Sequence, residues 1–418
     1  MAKFPITITD SPVKIHSLVP GGQGIATIES DSKISAIVAS GKKGFFWNAL
    51  PGETVTKYTI VKNKSHFIEA IAEEIEQPSS SRIAPRDDCY LATSPWQIMD
   101  YSSELVQKSL ILQEIFRQAD VISSFPKEQA LDAMPKPQTD NRDFYYRNKM
   151  EYSLYWNIEK QKIQLAQHAR GSHRKIPLTT SSIERPELFK KASEIIDELN
   201  SRGEEARKYQ SLLLRCNQSG KVSGGLYENH QPHPNFKPLE DEILGQKYSY
   251  SPNGFFQINL PVYEMALEKI KKHIDTSKVL DLYAGVGTIG LSVARDKELT
   301  LVEVNADAFY ELEKNVNAAS KDSHHISPIL SKSEDALNYI TSDQTVILDP
   351  PRAGCHQKLL EKLLQALPPT IIYLSCNPAT QARDLKILLS KYTIKLIQPY
   401  NFFPRTPHLE NLVILQKI

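Results

Sequence analysis

Cysteine is scarce in this chain of 418 residues: there are four, Cys89, Cys216, Cys355 and Cys376, spaced 127, 139 and 21 positions apart. That spacing fits neither a disulfide framework nor a C-x-x-C metal pattern, so each cysteine has to be judged singly. Long apolar runs are also missing. No stretch reaches the roughly 18 consecutive apolar residues of a membrane span, and the opening Met1 to Asp10 has no secretory apolar core, so the expectation is a cytoplasmic protein with no membrane partner. Neither sign of charge dominates. With 50 Lys+Arg against 49 Asp+Glu the formal charge is +1, and no global field announces a polyanion. A nucleic-acid site, if there is one, must be local. Apolar residues at 40% and charged residues at 24% exclude a disordered, collagen-like or coiled-coil chain.

What is present divides the chain into three. At roughly 100–200 residues per domain the length predicts two or three domains. Residues 1–76 carry short runs of strand chemistry at Pro12 to Val19, Gly24 to Ile28, Ile34 to Ala39, Thr54 to Val61 and from His66, separated by turns at Gly21 to Gly24 and Leu50 to Glu53, which predicts a small β-barrel. Gln77-Pro78-Ser79-Ser80-Ser81 reads as a linker. Residues 82–245 read as α+β, with a helix near Ser103 to Ala119 and aromatic-rich strands around Phe144 to Ile163. Residues 246–418 alternate strand and helix: Lys278 to Leu282, Leu299 to Val302, Ile326 to Leu330, Thr345 to Leu348, Thr370 to Leu374, Thr393 to Gln398 and Leu412 to Gln416 read as strands, and Asp307 to Ala319 as a helix. That alternation predicts an α/β fold of doubly wound, Rossmann-like type.

The motifs sit where such a sheet puts its ligand. Asp281 to Gly290 is a strand, a glycine-rich turn and a helix start, which lets a ligand lie against bare backbone. Glu303 follows Gly285 by 18 residues, at the end of the next strand, where a carboxylate accepts from both ribose hydroxyls. An adenosine-containing ligand is therefore expected, either a nicotinamide dinucleotide or S-adenosylmethionine. Asp349, in Asp349-Pro350-Pro351-Arg352-Ala353-Gly354, and Cys376, in Ser375-Cys376-Asn377-Pro378, stand at the carboxyl ends of later strands, the edge that faces the crevice. Cys376 can serve there as a nucleophile or as inert packing, and Cys89, Cys216 and Cys355 read as packing. Glu410 sits just before the final strand, where a solvated loop carboxylate is the plainer reading.

Together these segments resemble the RNA (uracil-C5)-methyltransferases. The likeness rests on Phe255-Phe256-Gln257-Ile258-Asn259, the Asp281 to Gly290 turn, Asp349 to Gly354, Ser375 to Thr380 with Arg383-Asp384, and His408-Leu409-Glu410, occurring in that order. Tyr146 to Glu151 resembles the central-domain motif, and the first 75 or so residues resemble a TRAM domain, an RNA-binding barrel. The resemblance implies S-adenosylmethionine as cofactor and conversion of a uridine to 5-methyluridine. It makes Cys376 the nucleophile that adds to uracil C6 and Glu410 the base that removes the C5 proton. Asp349 would hold the uracil edge beside the cofactor, whose pocket Gln257, Tyr283 and Glu303 would line, with Thr288 and Asp335 as weaker candidates. Many members bind an iron–sulfur cluster through four cysteines; here only Cys89 stands in the corresponding Arg86 to Ser94 segment, so no cluster and no metal is expected.

The expected partner is RNA, with ribosomal RNA preferred and the T-loop uridine of transfer RNA as the alternative, and with no obligate protein partner. Eight basic residues lie between Asp140 and Lys175 against four acids, interleaved with Tyr145, Tyr146, Tyr152, Tyr155 and Trp156, a composition suited to unpaired RNA or equally to core aromatics between solvated charges. Lys42, Lys43 and Trp47 are the candidates on the N-terminal barrel. Two other classes compete: a nicotinamide-dependent oxidoreductase, which gives no reason for Asp349, Cys376 and Glu410 to stand together at strand ends, and a non-catalytic RNA-binding protein, in which Cys376 would be dispensable.

Overall fold

The computed structural model describes residues 5–9, 11–28, 41–121, 134–172, 174–232, 234–319 and 325–418; the run expected at Ile34 to Ala39 lies outside them. Seven strands between Ile6 and Gln77 form one sheet, dominated by the long antiparallel pair Thr54–Asn63 and Phe67–Gln77. Their inward residues, among them Val55, Tyr58, Ile60, Ile68 and Ala70, close on Ile15, Ala26 and Phe46. The run at Pro12 to Val19 is two short strands, Val13–Lys14 and Ser17–Leu18, because Ile15 between them bonds the backbone of Gly52 and Glu53. The segment after Gln77 is no free linker. Buried Glu53 accepts from the amides of Leu50 (2.7 Å) and Ser79 (3.0 Å) and pairs with Arg82 Nε at 2.6 Å, which pins the chain to the sheet it is leaving.

A five-stranded antiparallel sheet follows, ordered Lys175–Pro177, Lys162–His168, Lys149–Asn157, Tyr209–Cys216, Val222–Glu228. Helix Pro186–Ser201 packs on it through Leu188, Ala192, Ile196 and Leu199, the apolar stripe of a 3.6-residue repeat.

The third sheet contains β1 (Lys278–Leu282), β2 (Glu298–Glu303), β3 (Ile326–Leu330), β4 (Gln344–Leu348), β5 (Thr370–Ser375), β6 (Tyr392–Tyr400) and β7 (Glu410–Lys417). Their order is 3-2-1-4-5-7-6, with β7 alone antiparallel to its neighbours. Alternate residues feed two cores: Val279, Leu301 and Ile347 on one face, Leu280, Val302 and Val346 on the other. Helices α1 (Leu260–Lys271), α2 (Thr288–Ala294), α3 (Ala306–Ala319), α4 (Gln357–Ala366) and α5 (Pro378–Leu388) cover them. The strand order reverses between β1 and β4, so the crevice at their carboxyl ends is where such a sheet takes its ligand.

Two segments that the sequence places with residues 82–245 pack on this sheet instead. Helix Tyr101–Gln118 sends Leu112 and Phe116 into the core beneath Leu280 and Val346, and hairpin strands Leu239–Ile243 and Gln246–Tyr250 bury Leu239, Ile243, Tyr248 and Tyr250 on the opposite face. The boundary expected at 245 therefore falls inside a hairpin, because apolar burial there is directed C-terminally.

Candidate active site

The turn after β1 is shaped by what its glycines face. Gly285, Gly287 and Tyr283 all have positive φ (58°, 89° and 68°). A Cβ on Gly287 would meet Leu312 at 2.6 Å, and one on Gly290 would meet Leu301 at 2.5 Å, so those two permit packing of the turn. Gly285 differs: a Cβ there would find nothing within 4 Å among the described residues, and its bare backbone borders open space. Asp281, wholly buried, accepts from Gly290 N at 2.8 Å, and burial pushes its carboxyl up to about 8. Glu303 reaches back across the crevice and accepts from the amides of Gly285 (2.7 Å), Val304 (2.9 Å) and Asn305 (2.6 Å). Three donors on a carboxylate with about four acceptor positions fix its orientation and leave room for a hydroxyl.

Around this cradle, Tyr283 is half-buried and hydrogen-bonds Ser333, a residue the motif reading missed. Thr288 Oγ1 is 2.9 Å from the Tyr263 hydroxyl, while Asp335 is exposed. Gln257 is buried on a segment strapped to the central sheet: Asn148 Nδ2 donates to Gln257 O (3.0 Å), and Arg215 donates to Gly254 O (3.1 Å) and Phe256 O (2.5 Å). Phe256 stacks on Tyr250 with centroids 3.8 Å apart, which leaves Phe255 outside, 72% exposed.

Asp349 follows β4, Cys376 follows β5, and Glu410 begins β7 rather than preceding it. Because β7 runs antiparallel, its first residue lies beside the carboxyl ends of the parallel strands, which is why a carboxylate distant in sequence meets the cysteine. Cys376 is half-buried, and burial followed by the nearby Glu410 and Asp349 carboxylates pushes its thiol up to about 11, against the pull of Arg352. Burial lifts Asp349 to about 7. Burial, then Asp349, raises Glu410 well above the ordinary carboxylate range, again opposed by Arg352. The three groups thus lie in one electrostatic neighbourhood in which proton-bound forms are favoured.

The scaffold of this trio includes residues that the motifs left without a role. Gln381, fully buried, donates to Tyr373 O (3.0 Å) and Asn411 O (3.1 Å) and accepts from Asn411 Nδ2 (2.7 Å), clamping β5 to β7. Asp384 accepts from Cys355 N and the Tyr373 hydroxyl, both at 2.8 Å, and Asn377 Nδ2 donates to Arg352 O at 2.8 Å, so the Asp349 to Gly354 loop is fastened to α5. Only the buried, non-repeating polar character of Gln381 could have marked it in the sequence.

The remaining candidates divide. Tyr146 and Tyr152 are core, whereas Tyr145 (48%) and Trp156 (40%) are exposed. Trp47 is buried with the Arg170 guanidinium 4.0 Å above its ring, so its face is not open to a base; Lys42 Nζ donates to Asn63 Oδ1 (2.8 Å) and Lys64 O (2.6 Å), and Lys43 is exposed. Cys89, Cys216 and Cys355 are buried. In the segment around Cys89, Asp87 accepts from Ser182 N (3.0 Å), Ser182 Oγ (2.8 Å) and Gln97 Nε2 (2.8 Å). Among the described residues no group of three or more His, Cys, Asp or Glu could hold a metal, and no helix is long and apolar enough to cross a membrane.

The fold and crevice define a doubly wound, Rossmann-like α/β domain with its ligand crevice at the carboxyl ends of β1 and β4. Residues 241–418 match the family described as tRNA (Uracil-5-)-methyltransferase. The chain is similar to an uncharacterised RNA methyltransferase of Synechocystis sp. (27% identity, covering 90% of this chain and 91% of the relative) and to one of Listeria innocua (24%, covering 99% and 98%). In three dimensions it resembles the Pyrococcus abyssi tRNA (uracil-54, C5)-methyltransferase solved with S-adenosyl-L-homocysteine (TM-score 0.72, 21% identity, covering 97% and 99%). The family match and these relatives agree with the expectation of an RNA methyltransferase.

Proposed function

We propose that this chain methylates C5 of a uridine in RNA through a covalent adduct between Cys376 and uracil C6. The observation that carries the reading is the gathering of Cys376, Glu410 and Asp349 at one sheet edge beside the glycine cradle. S-adenosylmethionine would be held in that cradle by the bare backbone of Gly285 and by Glu303 accepting from a ribose hydroxyl, with Gln257 and Tyr283 as its proposed side walls. When bound it supplies an electrophilic methyl group.

Uracil C5 is a weak nucleophile until a group adds at C6. Attack by the Cys376 sulfur forms an S–C6 bond and moves the C5–C6 π electrons onto C5 as an enolate; the thiol proton passes to solvent, so that Glu410 keeps a free carboxylate for the later step. Asp349 holds the uracil edge. Once C5 carries the methyl group it still holds its hydrogen, and Glu410 removes this as a proton, so that the electron pair reforms C5=C6 and expels Cys376. Burial favours the neutral Glu410 that results. The buried site also requires the target uridine to be unstacked before it enters.

The first sheet, in the reading of residues 1–76 as a TRAM-type barrel, and the basic face of residues 82–245 would carry the RNA. Ribosomal RNA is the proposed substrate; transfer RNA is a second reading, favoured by the description of the matching family. Mass-spectrometric mapping of 5-methyluridine in both RNAs, from cells with and without this protein, tests the proposal: loss of one 5-methyluridine identifies the substrate, and an unchanged map rejects the function.

A further inference from the structure

The irregular segment that carries Gln257 into α1 has its main chain held from another domain. Lys149 Nζ donates to Asn253 O (2.9 Å) and Gly254 O (3.1 Å), and Arg215 donates to Gly254 O (3.1 Å) and Phe256 O (2.5 Å). Asn148 donates from Nδ2 to Gln257 O (3.0 Å) and from its amide to Ile258 O (3.3 Å). The carbonyls of Asn253, Gly254, Phe256, Gln257 and Ile258 thus all accept from three residues at one end of two neighbouring strands of the central sheet. Carbonyls of a chain outside the ladders need such donors or water.

The donors are placed at a local cost. Lys149 and Arg215 stand directly opposite each other in the pairing of Lys149–Asn157 with Tyr209–Cys216, and like charges facing across a ladder are destabilising. Arg215 is 1% exposed and Lys149 is half-buried; burial, then Arg215, pulls the Lys149 ammonium down to about 8. Their hydrogen bonds go to main-chain carbonyls, which fixes a loop, rather than to a carboxylate, which would cancel a charge. Two buried cations set side by side and aimed at one loop break a rule of sheet design, and such breaks concentrate where function needs a fixed position.

The far end of the segment reaches the glycine turn. Asn259 O accepts from Tyr263 N (3.1 Å) in the first turn of α1. The Tyr263 hydroxyl in turn lies 2.9 Å from Oγ1 of Thr288, the residue that follows Gly287 and opens α2. Gln257 therefore stands between the clamp on the central sheet and the contact with the cradle, and it is 7% exposed.

We propose that Lys149 is a positioning residue for the cofactor: by holding Asn253 and Gly254, with Arg215 beside it, it sets the main chain so that the Gln257 side chain forms a wall of the S-adenosylmethionine cradle. The assignment rests on the proposed place of Gln257 in that cradle. Cofactor affinity is then controlled in part from the central sheet.

Calorimetric titration of the full chain with S-adenosylhomocysteine, arranged as a double-mutant cycle, tests this without RNA or methyl transfer. Gln257→Ala is expected to weaken binding about tenfold, as for one lost polar contact in a buried site. Lys149→Met, which keeps the aliphatic stem and removes the donors, should weaken it several-fold, and in the Gln257→Ala background it should cost nothing more, because it acts through Gln257 alone. Lys149→Arg, which restores a cation with donors, should return the affinity of the parent. If the methionine variant does not fold, Lys149→Gln replaces it, with a smaller loss that is again absent in the Gln257→Ala background. Parent affinity in Lys149→Met, losses that add in the cycle as a general weakening of the fold would give, or an arginine variant as weak as the methionine one overturns the role of Lys149 and leaves the cradle standing. Unchanged affinity in Gln257→Ala removes Gln257 from the cradle and the role of Lys149 with it. Failure of the methylation reading appears separately, in the 5-methyluridine map.

Discussion

Cys376 and Glu410 are the residues next outward from the last β5–β7 pair, Ser375 with Asn411, and the Glu410 carboxylate lies close enough to push the Cys376 thiol up. In the proposed mechanism these two residues, 34 positions apart in sequence, act on one ring, the sulfur entering at C6 and the carboxylate clearing C5. Glu410→Gln should let Cys376 add and the methyl group arrive but block proton removal. A methylated RNA–protein adduct that survives denaturing electrophoresis is then expected, with turnover reduced by about 10²–10⁴-fold. Cys376→Ala should form no adduct, including with 5-fluorouridine RNA, whose C5 fluorine cannot leave as a proton. An adduct in Cys376→Ala would remove the nucleophile from the proposal.

Glu184 makes pH dependence of stability testable away from the chemistry. It is fully buried, takes the Tyr152 hydroxyl, and burial pushes its carboxyl up to about 7. The folded chain thus binds this proton more tightly than the unfolded chain does. Its contribution to stability is complete below the ordinary carboxylate pKa and is lost as pH climbs through about 7. Glu184→Gln keeps the shape without the titration, so its melting temperature should fall less between pH 5 and pH 8 than that of the parent. Parallel curves for the two proteins would contradict this.

The α/β class and the strands of the last sheet were legible because buried parallel strands write themselves as continuous apolar runs, such as Val346-Ile347-Leu348. The glycine turn was legible for a similar reason, its strand, turn and helix being local. Contacts between distant segments were not. Helix Tyr101–Gln118 has an amphipathic pattern that says it will be buried but not on which sheet, and Glu53 reads as one more loop acid until Arg82 closes on it. Trp47, a candidate for RNA contact on the barrel, is instead covered by Arg170, a contact between segments more than a hundred residues apart that no local pattern announces. Gln381 carries no motif, because clamping two strands is a property of the folded sheet alone.

Glu303 and Gly285 give a prediction for the cradle. The Gly285 amide donates to Glu303 Oε2 at 2.7 Å, so the carboxylate orders the turn and, in the proposed function, also meets the ribose. Glu303→Ala should lose most of the melting-temperature rise given by S-adenosylhomocysteine, with affinity lower by about tenfold or more, as expected for charge-assisted hydrogen bonds. Gly285→Ala should do the same for another reason, since its Cβ would project into open space beside a backbone held at φ 58°. Asp335→Ala, at an exposed position, should leave binding unchanged. Calorimetric titration of the three variants distinguishes the cradle from the rest of the crevice rim.

The attachment of helix Tyr101–Gln118 to the methyltransferase sheet depends on a buried ion pair. Lys108 Nζ lies 2.9 Å from Glu104 Oε1 with both side chains excluded from solvent, and it also donates to Asn401 Oδ1 (2.5 Å) and Phe403 O (3.1 Å). Glu104 in turn accepts from Asn401 Nδ2 (3.0 Å) and Arg405 N (2.9 Å), so the pair fixes the 401–405 loop that leads to Glu410. Removing one charge leaves the other stranded in a low-dielectric interior. Glu104→Ala should therefore destabilise the chain by about 3–5 kcal/mol in chemical denaturation, whereas replacing both residues, Glu104→Leu with Lys108→Met, should recover much of that loss. Activity supplies the second readout. If the pair does position the loop, the double variant regains stability but not full turnover, because Asn401 and Arg405 have lost the acceptor that ordered them; full recovery of both would show that the helix is held by Leu112 and Phe116 alone.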